Sequence, residues 1–262
     1  MTDQVVGQVI MNVEGGVATL RLTSPARRNA ISSNMWRSLA DFAGTVSMRH
    51  DIRVVLIRGD GNAIFSSGAD ISDFDASRSG GDNAQSYDDL VEETCCAIEA
   101  IAQPTIAMIQ GRCMGAGASL AFSCDLRVAS HNSEFAVPAA NLGLGYDPRG
   151  IARFVRQIGA PLTTALLFTA EVVPGSAIQD AGGIQYLTDA GALEGETTRL
   201  IDRIARNAPL TLRAAKLVLR SLRDPAMQEQ ARLATIQADL SADYREGRAA
   251  FREKRSPRFT GA

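Results

Sequence analysis

The sequence predicts an α/β fold with a helical C-terminal region. Three observations lead there. Short β-rich runs alternate with amphipathic helical segments through the first two-thirds of the chain, the pattern of strands packed under helices. The runs RVVLIRG (53–59) and TIAMIQ (105–110) are apolar over most of their length, as strands covered on both faces are. Helical spacing dominates from Pro148, and residues 198–262 read as helical throughout.

The elements follow in order. Val5 to Val13 and Val17 to Leu22 form a hairpin around Glu14-Gly15-Gly16. A helix over 33–48 places Trp36, Leu39, Ala43 and Val46 on one face, with Ser32 or Ser33 as its cap. Strand 53–59 follows. An acidic, Gly/Ser-containing stretch from Asp73 to Asp82 is expected to be mobile. A helix over 85–102 leads into strand 105–110. Residues 111–130 read as turn, short helix and strand, and 135–147 as irregular. Strand-like pieces stand at 171–174 and 185–188. Pro209 and Pro225 start helices. A final long helix carries the apolar stripe Leu233, Ile236, Leu240 and Tyr244.

A length of 262 residues suits one large domain with a helical appendage. The expected division is a core over 1–197 and a helical region over 198–262. The net charge of −2 is spread along the chain and argues against a nucleic-acid partner. The basic stretch Arg245 to Arg258 is interrupted by Glu246 and Glu253 and reads as a solvated helix face. No apolar run approaches the roughly 18 residues of a membrane span. MTDQVVGQVI lacks the form of a signal peptide. Cys95, Cys96, Cys113 and Cys124 match no zinc spacing and are expected as reduced thiols in a cytoplasmic protein, with no metal.

Two segments can carry chemistry. FSSGAD (65–70) follows a buried strand, and its Gly68 permits positive φ or close backbone approach. CMGAGAS (113–119) follows the next strand and opens an apolar helix, so its small residues leave helix N-terminal amides uncovered for an anionic oxygen. A dinucleotide fingerprint is a rival, but Leu120 stands where its third glycine belongs. A serine-hydrolase elbow is another, with GASLA in place of G-x-S-x-G and only His50 or His131 as base.

Taken together with SPARRNAIS (24–32), FAVPAANLGLGYD (135–147) and SADYREGRAAFREKRSPRFTG (241–261), these segments resemble the crotonase, or enoyl-CoA hydratase/isomerase, family over nearly the whole chain. The resemblance implies a ββα spiral core, a C-terminal helical trimerisation region and a homotrimer or hexamer. It implies an acyl-CoA thioester as substrate, with coenzyme A as part of that substrate and no separate cofactor. The N–H groups of Ala69 and Ala116 are implied as the oxyanion donors for a thioester enolate. Two preorganised donors hold the developing charge without reorganising, and losing one such donor costs about 2.7–4 kcal/mol. The resemblance further implies CoA contacts at Arg27, Arg28 and Ala30 in the first loop and at Ser67, Gly68, Asp70 and Ile71 in the second. Met114, Gly115 and Pro138, with Phe251 and Lys254 of the tail, complete that set.

The chain departs from the hydratase pattern where the acids and bases belong. Ser119 and Ala139 occupy the positions of the two glutamates that flank a water in typical hydratases, so two-carboxylate water activation is unavailable there. Asp147, in LGLGYD, matches a catalytic aspartate of some family members. It is equally a strong cap for a helix starting at Pro148. Tyr146 beside it can line the acyl pocket or donate a hydrogen bond. The implied activity is that of a lyase or isomerase of this family. Thioester hydrolysis, decarboxylation or an inactive acyl-CoA-binding relic are the alternatives.

Overall fold

The computed structural model describes residues 7–74 and 81–262. Val5 and Val6 of the expected hairpin, and most of the acidic stretch 73–82, lie outside the described residues.

Strands β1 (Gln8–Glu14) and β2 (Val17–Thr23) pair antiparallel across Gly15-Gly16. Strands β3 (Val54–Gly59), β5 (Thr105–Ile109), β7 (Leu126–Ser130) and β10 (Tyr186–Thr188) add in parallel, giving a six-stranded sheet in the order β1-β2-β3-β5-β7-β10. Between them run short strands of a second, four-stranded sheet: β4 (Ile64–Ser66), β6 (Arg112–Met114), β8 (Glu134–Ala136) and β9 (Val173–Pro174). After the β1-β2 hairpin each turn of the chain gives one strand to each sheet, with helices between the turns, which is a ββα spiral.

The helices are α1 (Ser33–Ser47), α2 (Gly81–Ala100), α3 (Ala116–Ser123), α4 (Pro148–Thr169), α5 (Gly175–Asp180), α6 (Leu193–Ala205), α7 (Pro209–Ser221), α8 (Gln228–Leu240) and α9 (Ala242–Glu253). Alternation along the strands explains why both faces of the large sheet are apolar. Val55, Ile57, Ala107, Ile109 and Ala129 face the main core with Trp36, Leu39 and Ile98 of α1 and α2. Val54, Leu56, Ile106, Met108 and Val128 face the other way and pack on Leu193, Leu200 and Ile201 of α6. The expected boundary at residue 197 therefore cuts a helix that closes the core; the helical appendage begins after α6.

Two further expectations are corrected. Residues 112–114 form β6 rather than a turn, because a three-residue strand is too short to show a period and is fixed by pairing to β4 and β8. The final helix is two helices. Ser241 breaks it with extended backbone (φ −68, ψ 160) and caps α9 by accepting from the Tyr244 N–H at 3.0 Å. Among the described residues no helix is long and apolar enough to cross a membrane, and no group of three or more potential ligands could hold a metal ion.

Candidate active site

Strands β4, β6 and β8 are parallel neighbours, so the chain leaves all three at the same edge of the small sheet. Loops at the carboxyl ends of parallel strands are where such folds place their ligands. Here those loops are Ser67–Asp70, Gly115–Ala116 and Val137–Ala139. They line one pocket together with Tyr87, Val91 and Glu92 of α2 and with Leu142 and Leu144 to Asp147 before α4. The cavity is about 140 Å³, smaller than the roughly 300–1,000 Å³ of drug-sized sites.

Ala69 and Ala116 both line this space. Ile31 bridges Ala69 by donating to the Gly68 carbonyl at 2.8 Å and accepting from the Asp70 N–H at 3.0 Å. The Ala69 N–H points away from that bridge. Ala116 is the first residue of α3, so its N–H has no partner within the helix and lies at the positive end of the helix dipole. The two loops touch: Gly68 has φ +104, and a Cβ built on it would lie 3.1 Å from the Met114 carbonyl oxygen and 3.9 Å from the Ala116 nitrogen.

The first loop is fastened to the second. Ser66 Oγ donates to the Asn29 carbonyl at 2.8 Å, Ser67 N–H to the Arg28 carbonyl at 3.0 Å, and Ser67 Oγ to the Arg27 carbonyl at 2.9 Å. Arg27 forms an ion pair with Asp70 at 2.5 Å and also donates to Ser72. Burial by itself would raise the Asp70 carboxyl, but hydrogen bonds from Ser72 and Arg27 outweigh it and hold the group below its usual range. Arg27 is thus a clamp between loops, whereas Arg28 is exposed and has left-handed backbone (φ 53). Ala30 is buried. Asn29, which sequence reasoning passed over, donates to the carbonyls of Asp60 and Ile64, both at 3.0 Å, and fixes the loop at the entry to β4.

At the inner wall, the Ser119 and Tyr146 hydroxyls lie 2.8 Å apart. Burial holds the Tyr146 phenol well above its ordinary range, more than the Ser119 hydrogen bond lowers it, so the group is neutral, and either hydroxyl can donate to the other. Its ring stands edge-on to Phe154, with centroids 6.0 Å apart. Ala139 lines the same pocket, so neither Ser119 nor Ala139 brings a carboxylate to it. Asp147 also lines it, but as the cap of α4: it accepts from the Arg149 N–H at 2.8 Å and pairs with the Arg149 guanidinium at 2.7 Å. The Arg149 hydrogen bond keeps this carboxyl below its ordinary range despite opposing burial. Glu92, a wall residue that sequence reasoning missed, is tied to buried Arg153 at 2.9 Å.

The enoyl-CoA hydratase/isomerase family model matches residues 12–262. The chain belongs to the enoyl-CoA hydratase/isomerase family. It is an acyl-CoA-processing enzyme of that family. A solved structure of an enoyl-CoA hydratase/carnithine racemase from Magnetospirillum magneticum superposes with a TM-score of 0.93 at 32% identity, covering 97% of this chain and 96% of that one. The chain is 29% identical to 2,3-dehydroadipyl-CoA hydratase of Escherichia coli, over 97% of its own length and 99% of the relative's. It is 30% identical to methylmalonyl-CoA decarboxylase of the same organism, over the full length of both.

Within this family member, Ser67, Gly68, Ile71, Gly115 and Pro138, implied as CoA contacts, line this pocket, and the Met114 carbonyl lies against Gly68. Phe251 and Lys254 do not. Phe251 is 87% exposed and lies in a separate surface groove with Tyr244, Arg248 and Phe259. Asp125 and Glu134 also lie elsewhere, paired with Lys216 at 2.6 Å and Arg112 at 3.2 Å. The cysteines are free; burial pushes the Cys95 and Cys124 thiols up to about 12 and the Cys113 thiol well above its usual range.

Proposed function

We propose that the protein forms a thioester enolate whose oxygen sits between the Ala69 and Ala116 N–H groups, in a reaction other than enoyl hydration. The observation that carries this reading is the Ser119–Tyr146 hydroxyl pair, which stands with Ala139 where a hydratase needs carboxylates. Two hydroxyls have two hydrogens. One is spent on their mutual bond, and the other remains to donate to the substrate.

A neutral donor beside an oxyanion site suits loss of carbon dioxide from a 2-carboxyacyl-CoA. The bond from C2 to the carboxylate breaks, and its electron pair forms the C1–C2 double bond as charge moves to the thioester oxygen. Carbon dioxide leaves, and a proton from solvent then rebuilds C2–H. No base is needed to make the enolate, which fits a pocket whose Asp147 and Glu92 are tied to Arg149 and Arg153. Full-length similarity to a methylmalonyl-CoA decarboxylase supports this reading. A one-base shift of a double bond is the second reading, favoured by Asp147 lining the same pocket. In both, exposed Arg28 is the arginine left for a CoA phosphate, and Phe251 and Lys254 would meet the nucleotide end outside the acyl pocket.

Product analysis with malonyl-, 2-methylmalonyl-, 3-enoyl- and crotonyl-CoA tests the proposal. We expect carbon dioxide release from a 2-carboxyacyl thioester and little hydration of crotonyl-CoA. Hydration at about 10 per second or more, an ordinary enzymatic rate, would overturn it. Isomerisation of the 3-enoyl thioester without carbon dioxide release selects the second reading.

A further inference from the structure

We propose that Gly150 is the positioning residue for Tyr146, and through it for the Ser119–Tyr146 hydroxyl pair; the catalytic part of this inference rests on the function proposed above. Gly150 is the third residue of α4 and is buried. It is not among the residues of positive φ, so its backbone would accept alanine. In a helix interior glycine is less favourable than alanine, so conformation does not explain it. Space does. A Cβ at this position would lie 2.9 Å from Tyr146 Cε1 and 3.0 Å from Glu92 Oε1.

The two neighbours differ in freedom. Glu92 and Arg153 form an ion pair of 2.9 Å with side chains only 4% and 3% exposed, and Arg153 also holds Glu99 at 2.8 Å. That carboxylate cannot withdraw. The Tyr146 ring lies against Phe154, which is itself edge-on to Phe122 with centroids 5.0 Å apart. The core therefore blocks retreat inward. Tyr146 borders the pocket on its remaining side, so an added methyl pushes the ring into the acyl space and draws its hydroxyl away from Ser119. The missing side chain at 150 thus sets where the neutral donor stands.

The test is the Gly150→Ala variant of the full chain, labelled with 3-fluorotyrosine. The Tyr146 resonance is assigned by its loss in Tyr146→Phe. We expect that resonance to move in Gly150→Ala while helix content is retained. On whichever CoA thioester proves active, kcat should fall by about 10²-fold, the scale of a 1 Å misplacement, with KM changed far less. In a Tyr146→Phe background, Gly150→Ala should add little further loss, because both changes act through one hydroxyl. An unmoved resonance or additive losses would overturn the proposal. If no thioester is turned over, the function proposed above fails, and the fluorine resonance still decides the positioning. If Gly150→Ala does not fold, the double variant Gly150→Ala/Tyr146→Leu should fold, since the shorter side chain makes room for the methyl; its failure also overturns the proposal.

Discussion

Gly68 stands where two loops meet, with φ +104 and the Met114 carbonyl in the way of any Cβ. Gly68→Ala should cost about 1–2 kcal/mol from backbone strain and part the Ala69 and Ala116 amides. Thermal unfolding together with titration of a non-reactive acyl-CoA analogue checks both effects, and retained affinity would mean that the amides do not hold the carbonyl. Asp70 gives a pH signature. Its carboxyl is held below the unfolded value of about 3.9, so its contribution to stability is complete above that pH and is lost as pH falls through the lower, folded value. The stability gap between the native chain and Asp70→Asn should therefore be steady near pH 7 and shrink on acidification below about pH 4. Asp147→Asn should change stability by no more than about 1 kcal/mol, because asparagine caps about as well as aspartate. It should retain most turnover if decarboxylation is the reaction; a loss of about 10²-fold would make Asp147 the base of a double-bond shift. Gly68, Ala69, Ala116 and Asp147 were legible because each sits in a motif. The roles of Asn29 and Glu92 were not, since their partners lie 35 and 61 residues away in sequence, and that of Gly150 was not, since it depends on the packing of Tyr146 and Glu92 around it.

Helix α3 is eight residues long and almost wholly buried. Its place is set by the strand before it and the core around it, since isolated helices of that length are marginal in water. Small residues were the readable signal, because they are what a crowded helix start requires. Strand β6 gave no such signal. The break at Ser241 shows a cap outweighing a stripe: Leu240 and Tyr244 keep helical spacing, yet the serine side chain starts a new helix between them. Ser241→Ala should cost about 1 kcal/mol, read as a lower melting temperature. A neutral result would mean that tail contacts, not the cap, set the break.

On the scale of the molecule, the helical region leaves apolar side chains uncovered. Leu222, Leu233, Leu240 and Tyr244 are 76%, 52%, 73% and 49% exposed. The tail folds back on the same region: Asp243 accepts from the Thr260 and Gly261 N–H groups at 2.7 and 2.9 Å, and Arg53 donates to the Phe259 carbonyl at 2.9 Å. An apolar face this open predicts an association surface. Sedimentation should show at least three chains per particle, and a Leu233→Glu/Leu240→Glu variant should shift the population toward monomer. A stable monomer of the unaltered chain at micromolar concentration contradicts this reading.

The sequence by itself determined the strands of the large sheet, most helices, the two small-residue loops and the absence of carboxylates at 119 and 139, because these are local properties of side-chain period, size and charge; it did not show β4, β6 or β8. Only the tertiary structure decided what those loops form. The parallel pairing of β4, β6 and β8 brings three chain segments to one sheet edge, and pairing between strands nearly 50 residues apart leaves no local trace. Tertiary packing likewise gave Arg27 to Asp70, left Arg28 exposed, and joined Ser119 to Tyr146 across 27 residues. Which polar groups face a ligand depends on which others have already satisfied them, and the fold alone settles those pairings.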